Sequence, residues 1–198
     1  MIVKELQFGI KQYSYSQDFS DDDKHQLISY LNQKYFDSDN YEKNLPGFQT
    51  TSKINLLDNT DIPQFKKLKD SFILSCFDYI NEEKLIKKLQ QGNYNTYCWV
   101  YMNYLNSGRN GQRYHTHNTV NPYTISAVLY LHLPDKLLDN RTETVFCLGC
   151  NKVYLPSVEY NWFLYPSSFG HYPGDVISKN RRYTIAADIW FDCDDIPY

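Results

Sequence analysis

The sequence lacks an excess of positive charge. Lys and Arg number 20 against 23 Asp and Glu, for a formal net charge of −3. No basic stripe is available to neutralise a phosphate backbone, which argues against a nucleic-acid partner. Long apolar runs are missing too. None approaches the roughly 18 residues that a membrane helix needs, and the first residues hold no signal-peptide core. The expectation is a soluble, cytoplasmic protein without membrane contact. Cysteine is scarce, with five residues at positions 76, 98, 147, 150 and 193. An odd number without a secretory signal argues against a disulfide framework. Cys147-Leu-Gly-Cys150 has no second Cys-x-x-Cys to complete a zinc ribbon and no helix to open as a redox motif. Between two β-like runs it reads as a hairpin turn at Leu148-Gly149. Internal repeats and low-complexity tracts are absent as well.

What is present suffices for one core. A hydrophobic fraction of 42% over 198 residues fits a single compact domain. Two parts are expected within it: residues 1–93 as a helical scaffold and 94–198 as a β-rich core. In the first part, Val3 to Tyr15 has the patchy alternation of a strand. Ser20-Asp-Asp-Asp23 supplies an N-cap and an acidic first turn, and Leu27, Ile28, Leu31 and Tyr35 follow at helical spacing. Tyr41 to Ile62 reads as loop, with Pro46-Gly47 as a turn signal. A second helix is expected from Pro63, capped by Asp61, with Phe65, Leu68, Phe72, Cys76, Phe77 and Ile80 on its buried side. Neither helix carries a catalytic pattern.

From Tyr94 the period shortens. Tyr97 to Leu105, Tyr123 to Leu133, Thr142 to Phe146, Lys152 to Leu155, Trp162 to Tyr165 and Arg182 to Phe191 are short apolar runs between turn signals. That spacing predicts a sandwich or barrel. His115 and His117 stand two apart, so a strand there would put both imidazoles on one face. Two neutral imidazoles can share one metal ion. His171 is the one further histidine in a comparable setting, 54 residues beyond His117. A jelly roll, or double-stranded β-helix, is an architecture in which ligands from distant strands meet at one mouth. His25 and His132 are assigned no metal role.

The order of residues around these histidines carries a resemblance. Asn103, Gly108, Gln112, His115 and His117 come first, then Ser126-Ala-Val-Leu-Tyr130. Tyr165-Pro-Ser167, His171 and Arg182-Tyr-Thr-Ile-Ala follow. From about residue 45 to about 190 the chain resembles the prolyl-hydroxylase-like 2-oxoglutarate/Fe(II)-dependent oxygenases, in a His-x-His variant. The resemblance implies a mainly β protein with N-terminal helices and a double-stranded β-helix. It also implies Fe(II), 2-oxoglutarate as co-substrate, O2, and oxidation of a prime substrate, a small molecule or a protein side chain, that the sequence does not name. His115, His117 and His171 would hold the metal. Arg182 would anchor the distal carboxylate with the bidentate fork that Lys lacks. Thr184 shares its face, whereas Arg181 is turned away by alternation. Asn103, Tyr104 and Tyr130 are candidate pocket residues, because amide and phenol groups orient carboxylates.

His117 departs from the superfamily's common pattern, which has Asp or Glu there. Either His117 is itself a ligand, or Asp139, Glu143 or Asp188 supplies a carboxylate and His117 stands behind it. Two rival readings remain. A cupin-like metal protein also uses His-x-His, but it has a Glu shortly afterwards, which Asn118-Thr-Val-Asn-Pro-Tyr123 does not provide. A non-catalytic β-sandwich module would need none of these residues.

Overall fold

β-branched and aromatic residues fill a pleated, half-buried surface well, and the apolar runs become strands of two facing sheets. The computed structural model describes residues 2–15, 18–44, 47–51, 53–104, 114–117, 124–134, 144–174 and 179–192. Pro46, Gly108, Gln112, Asp139, Glu143 and Cys193, singled out above, lie outside the described residues.

The strands are β1 (Ile2–Glu5), β2 (Lys11–Ser14), β3 (Tyr41–Asn44), β4 (Gly47–Thr50), β5 (Asn95–Asn103) and β6 (Ile125–His132). They continue with β7 (Thr144–Leu148), β8 (Asn151–Tyr154), β9 (Asn161–Pro166), β10 (His171–Pro173) and β11 (Arg182–Trp190). The major sheet has the order β1-β2-β9-β6-β11-β5-β4-β3, and the minor sheet the order β10-β7-β8. Residues 114–117 run beside β10, joined by an antiparallel bridge between His115 and His171. Neighbouring strands pair antiparallel throughout, and the non-sequential order is that of a double-stranded β-helix.

Two apolar layers follow from the two-residue period. One face of the major sheet packs Val100, Met102, Leu129, Leu131, Trp162, Leu164, Ile185 and Ile189 against the helices. The other turns Val128, Tyr130, Phe163, Tyr165 and Ala186 inward, toward Phe146 and Val153 of the minor sheet. Arg182, Thr184, Tyr130 and Asn103 project into the interior between the sheets.

The helices are α1 (Asp21–Leu31), α2 (Pro63–Tyr79) and α3 (Glu83–Gln90). The first begins with a capping box: the Ser20 hydroxyl accepts from the Asp23 amide at 3.1 Å, and the Asp23 carboxylate accepts from the Ser20 amide at 3.0 Å. Lys67 of α2 donates to the same carboxylate at 2.7 Å, tying the two helices. Burial alone would raise the Asp23 pKa, but Lys67 and Ser20 hold it down at about 2. Trp162 of β9 donates its indole N–H to Ser71 of α2 at 2.9 Å, and Phe72 packs on its ring. That bond fixes the helix layer on the sheet.

Three readings of the sequence differ from the structure. Tyr41 to Ile62 is not all loop, because β3 and β4 form a hairpin that joins the sheet beside β5. Short polar strands at a sheet edge carry no apolar alternation to betray them. Asp61 does not cap α2. Ile62 occupies the cap position with no side-chain bond, Pro63 takes the first turn, and Asp61 accepts from Tyr30 and Lys34 instead. Val3 to Tyr15 is a hairpin of two strands, turned through Phe8 (φ 59) and Gly9 (φ 77). The Cys-x-x-Cys stretch does form a hairpin turn, one residue later than expected, at Gly149 (φ 64) and Cys150, with Leu148 still in the strand and paired to Asn151. Cys147 and Cys150 are both free thiols.

Ser20→Ala removes one side of the capping box. It is expected to cost about 1 kcal/mol, seen as a fall of about 2–4 °C in thermal midpoint for a chain of this size. An unchanged midpoint would show that the Asp23–Lys67 pair holds the helix start without it.

Candidate active site

His115 lies on the strand-like segment that closes the minor sheet. Its amide donates to the His171 carbonyl at 3.0 Å, and its carbonyl accepts from the His171 amide at 2.9 Å in return. The His117 amide donates to the Ser167 carbonyl at 3.1 Å, holding the next turn of the segment over the end of β9. This backbone pairing sets the three imidazoles together. Ring centroids are 4.5 Å apart for His115 and His171, 5.0 Å for His117 and His171, and 5.3 Å for His115 and His117. One ring nitrogen from each lies within 4.8 Å of the others, an arrangement that can hold one metal ion.

Each ring's second nitrogen decides its tautomer. His171 Nδ1 stands 3.0 Å from the Phe169 carbonyl, which can only accept, so Nδ1 carries the proton and Nε2 presents a lone pair. Burial, reinforced by the neighbouring His117 and His115, pushes the His171 pKa down to about 3. The ring is therefore neutral, as a metal ligand must be. Tyr165, buried beneath, places its hydroxyl 3.4 Å from that Nε2. His117 Nδ1 is 2.9 Å from Oδ1 of Asp188 on β11, and Ser126 on β6 donates to the same oxygen at 2.6 Å. Trp99 of β5 packs beside the His117 ring at 5.3 Å. Of the alternative carboxylates, Asp188 is thus placed against His117 and outside the group of three nitrogens.

The inner face of β11 reads Arg182, Thr184, Ala186, Asp188, with small Ala186 between its polar ends. Arg182 is completely buried. Its Nε donates to Thr184 Oγ1 at 3.0 Å, its Nη1 donates to the Gly174 carbonyl at 3.3 Å, and its Cζ sits 5.3 Å from the centre of the Tyr130 ring. Among the described residues its Nη2 has no hydrogen-bond partner and no carboxylate pairs with it. Burying a guanidinium disfavours its charge, and a buried cation without a counter-ion is expensive. Such an arrangement can receive an anion. Arg181, next in the chain, points the other way and pairs with Asp37 and Asn32 outside the sheet.

The remaining candidates divide. Asn103 stands opposite Arg182 in the β5–β11 register, buried, with Oδ1 unpartnered among the described residues. Tyr130 offers its ring to Arg182, while its hydroxyl donates to Thr144 Oγ1 at 2.9 Å and accepts from the Thr144 amide at 2.7 Å. Tyr104 is on the opposite face, stacked on Phe48 and packed with the helix-side core. Sequence reasoning missed Tyr101. It pairs with Thr184 across the strands, its hydroxyl is buried and unpartnered among the described residues, and its ring occupies the space where a side chain at Gly47 would stand. Alternation from Asn103 would have found it, since residues two apart share a face.

The fold so defined is the double-stranded β-helix of the 2-oxoglutarate/Fe(II) oxygenases. A bacterial prolyl-4-hydroxylase from Pseudomonas putida superposes with a TM-score of 0.61 at 13% identity, covering 93% of both chains. A prolyl hydroxylase from Trichoplax adhaerens, solved with a hypoxia-inducible-factor peptide, gives 0.65 at 12% identity over 93% of this chain and 84% of that one. A non-haem α-ketoglutarate-dependent carbocyclase from nogalamycin biosynthesis gives 0.61 at 10% identity, over 92% and 79%. No family model and no curated protein matches the sequence. The likeness is therefore one of fold. Among the described residues, no helix is long and apolar enough to cross a membrane.

The depressed pKa of His171 has a consequence for the metal-free protein. A histidine near 6.5 when unfolded and near 3 when folded binds its proton preferentially in the unfolded chain. Stability is then intact above about pH 6.5 and falls as pH drops toward 3. Relative to His171→Gln, which does not titrate, the wild type should lose about 2 kcal/mol between pH 7 and pH 5. Urea melts of both proteins in chelator check this, and parallel pH dependences would refute it.

Proposed function

We propose that the protein is a 2-oxoglutarate/Fe(II)-dependent dioxygenase, with His115, His117 and His171 as metal ligands and Arg182 as the anchor of the co-substrate's distal carboxylate. The observation that carries this reading is the buried Arg182, without an acidic partner among the described residues, on the inner wall of a barrel whose mouth holds three convergent imidazoles. The donor set suits the group: neutral imidazoles for a divalent metal, and a guanidinium with a free Nη2 for a dianion. Fe(II) bound there would supply O2 activation coupled to decarboxylation of 2-oxoglutarate to succinate and CO2, with oxidation of a prime substrate.

The chain's own part is positioning and charge. Thr184 and the Gly174 carbonyl fix two sides of the guanidinium, so its third donor is aimed without rotamer freedom to lose. Thr184 Oγ1 accepts from Arg182 and keeps its own proton to donate to a carboxylate. The Tyr101 hydroxyl, on the neighbouring strand, is a further donor of the same kind. Tyr130 presents its ring face to the cation. The prime substrate is read as a small molecule or a protein side chain, with no nucleic acid implied by the charge.

Arg182→Ala should weaken 2-oxoglutarate binding by about 30-fold or more, since a buried charged partner contributes about 2–5 kcal/mol on truncation. Metal content should be unchanged. Arg181→Ala, a change outside the sheet, should leave both as they are. The measurement is an anaerobic titration of Fe(II)-loaded protein, following the weak absorption band that 2-oxoglutarate develops. Metal binding without any 2-oxoglutarate response would favour the cupin-like reading, and no stoichiometric metal would favour a non-catalytic module.

A further inference from the structure

In the common form of such sites one of three protein ligands is a carboxylate, and in this chain that position is His117. Three neutral imidazoles leave the charge of a divalent ion uncompensated by any ligand. A carboxylate nevertheless stands one step back. Asp188 has a side chain only 10% exposed, and among the described residues its one ion-pair partner is His117. Both donors that reach it, His117 Nδ1 at 2.9 Å and Ser126 Oγ at 2.6 Å, converge on the same oxygen, Oδ1.

We infer that Asp188 is a positioning residue for the metal site: it holds His117 as the third ligand through Nδ1 and returns to the site the negative charge that the ligand set lacks. This inference rests on the metal reading above. A carboxylate oxygen can only accept, so His117 Nδ1 must donate, and the lone pair is left on Nε2, at the other end of the ring. A fixed tautomer and ring orientation remove the entropy that a free imidazole would lose on ligation, and the anion makes the ring a better donor. The geometry also explains why Asp188 is not itself the ligand, since it faces the edge of the ring away from Nε2. Ser126 holds the carboxylate in turn, so the chain of contacts runs from β6 through β11 to the loop bearing His117. Trp99 against the ring leaves His117 little room to swing elsewhere.

The probe is Ni(II), titrated into metal-free protein in competition with a chelator at pH 7, together with the thermal midpoint of each metal-free variant. Asp188→Ala should weaken Ni(II) binding by about 10- to 100-fold. Asp188→Asn, which keeps an accepting oxygen but loses the charge, should fall between the two. In a His117→Ala background, Asp188→Ala should have almost no further effect, because its route to the metal is gone. Additive losses in that double-mutant cycle would overturn the inference, as would Ni(II) affinity within about twofold of wild type for Asp188→Ala. So would a loss of affinity that merely tracks a lowered metal-free midpoint, which marks a structural role. Wild-type protein that fails to bind one Ni(II) per chain would instead bring down the metal reading itself.

Discussion

A guanidinium buried without a counter-ion among the described residues is the constraint around which the interior is arranged. Removing such a group from water costs several kcal/mol even after relaxation, so everything that touches Arg182 must offset part of it. Thr184 and Gly174 accept two of its donors, and Tyr130 lends a ring face. Tyr130 can do so because its own hydroxyl is bonded twice to Thr144, and that pair also ties β6 of the major sheet to β7 of the minor one. Closure of the barrel at this end and placement of the cation are thus one set of contacts. What they leave open is Nη2, and a bound anion would complete it.

The division of labour along β11 comes from the pleat. Tyr183, Ile185, Ala187 and Ile189 belong to the helix-side core, while Arg182, Thr184, Ala186 and Asp188 form the inner wall. One strand therefore carries stability on one face and chemistry on the other, and a slip of one residue would exchange them. Pairing on both sides prevents that. β5 matches β11 over its whole length, and β6 matches it from Thr184 to Ile189, with a bulge beside Tyr183. The helices add the outer clamp through Trp162 and Ser71.

How much of this was legible in the sequence depends on length and phase. The strands that bury both faces announced themselves as apolar runs, and so did the turn at Gly149. His115 and His117 could be paired by the strand period, and His171 joined them through the family resemblance. Arg182 could be told from Arg181 by alternation alone. The same rule was not applied at Tyr104, which was chosen by chemistry and not by phase. Counting in twos from Asn103 leads to Tyr101, the residue that faces inward. The β3–β4 hairpin was hidden because its strands are four residues each and largely polar. The pairing of Asp188 with His117 joins residues 71 apart in the chain, and no local pattern signals it.

Inside an apolar barrel every polar side chain is a cost unless something satisfies it. Sorted by that rule, the inner wall separates into structure and site. Thr144 is satisfied by Tyr130, Ser126 by Asp188, and Asp188 by His117, so these explain one another. Arg182 Nη2, the Asn103 Oδ1 and the Tyr101 hydroxyl are not explained by any neighbour among the described residues. Paired β5–β11 positions place all three at one end of the same wall: Asn103 opposite Arg182 and Tyr101 opposite Thr184. The imidazoles gather at the other end, around Asp188. An elongated ligand with an anionic terminus and a metal-binding head would satisfy both ends at once. The oxygenase fold makes that arrangement possible, and these unsatisfied groups are what make it a reading of this particular chain.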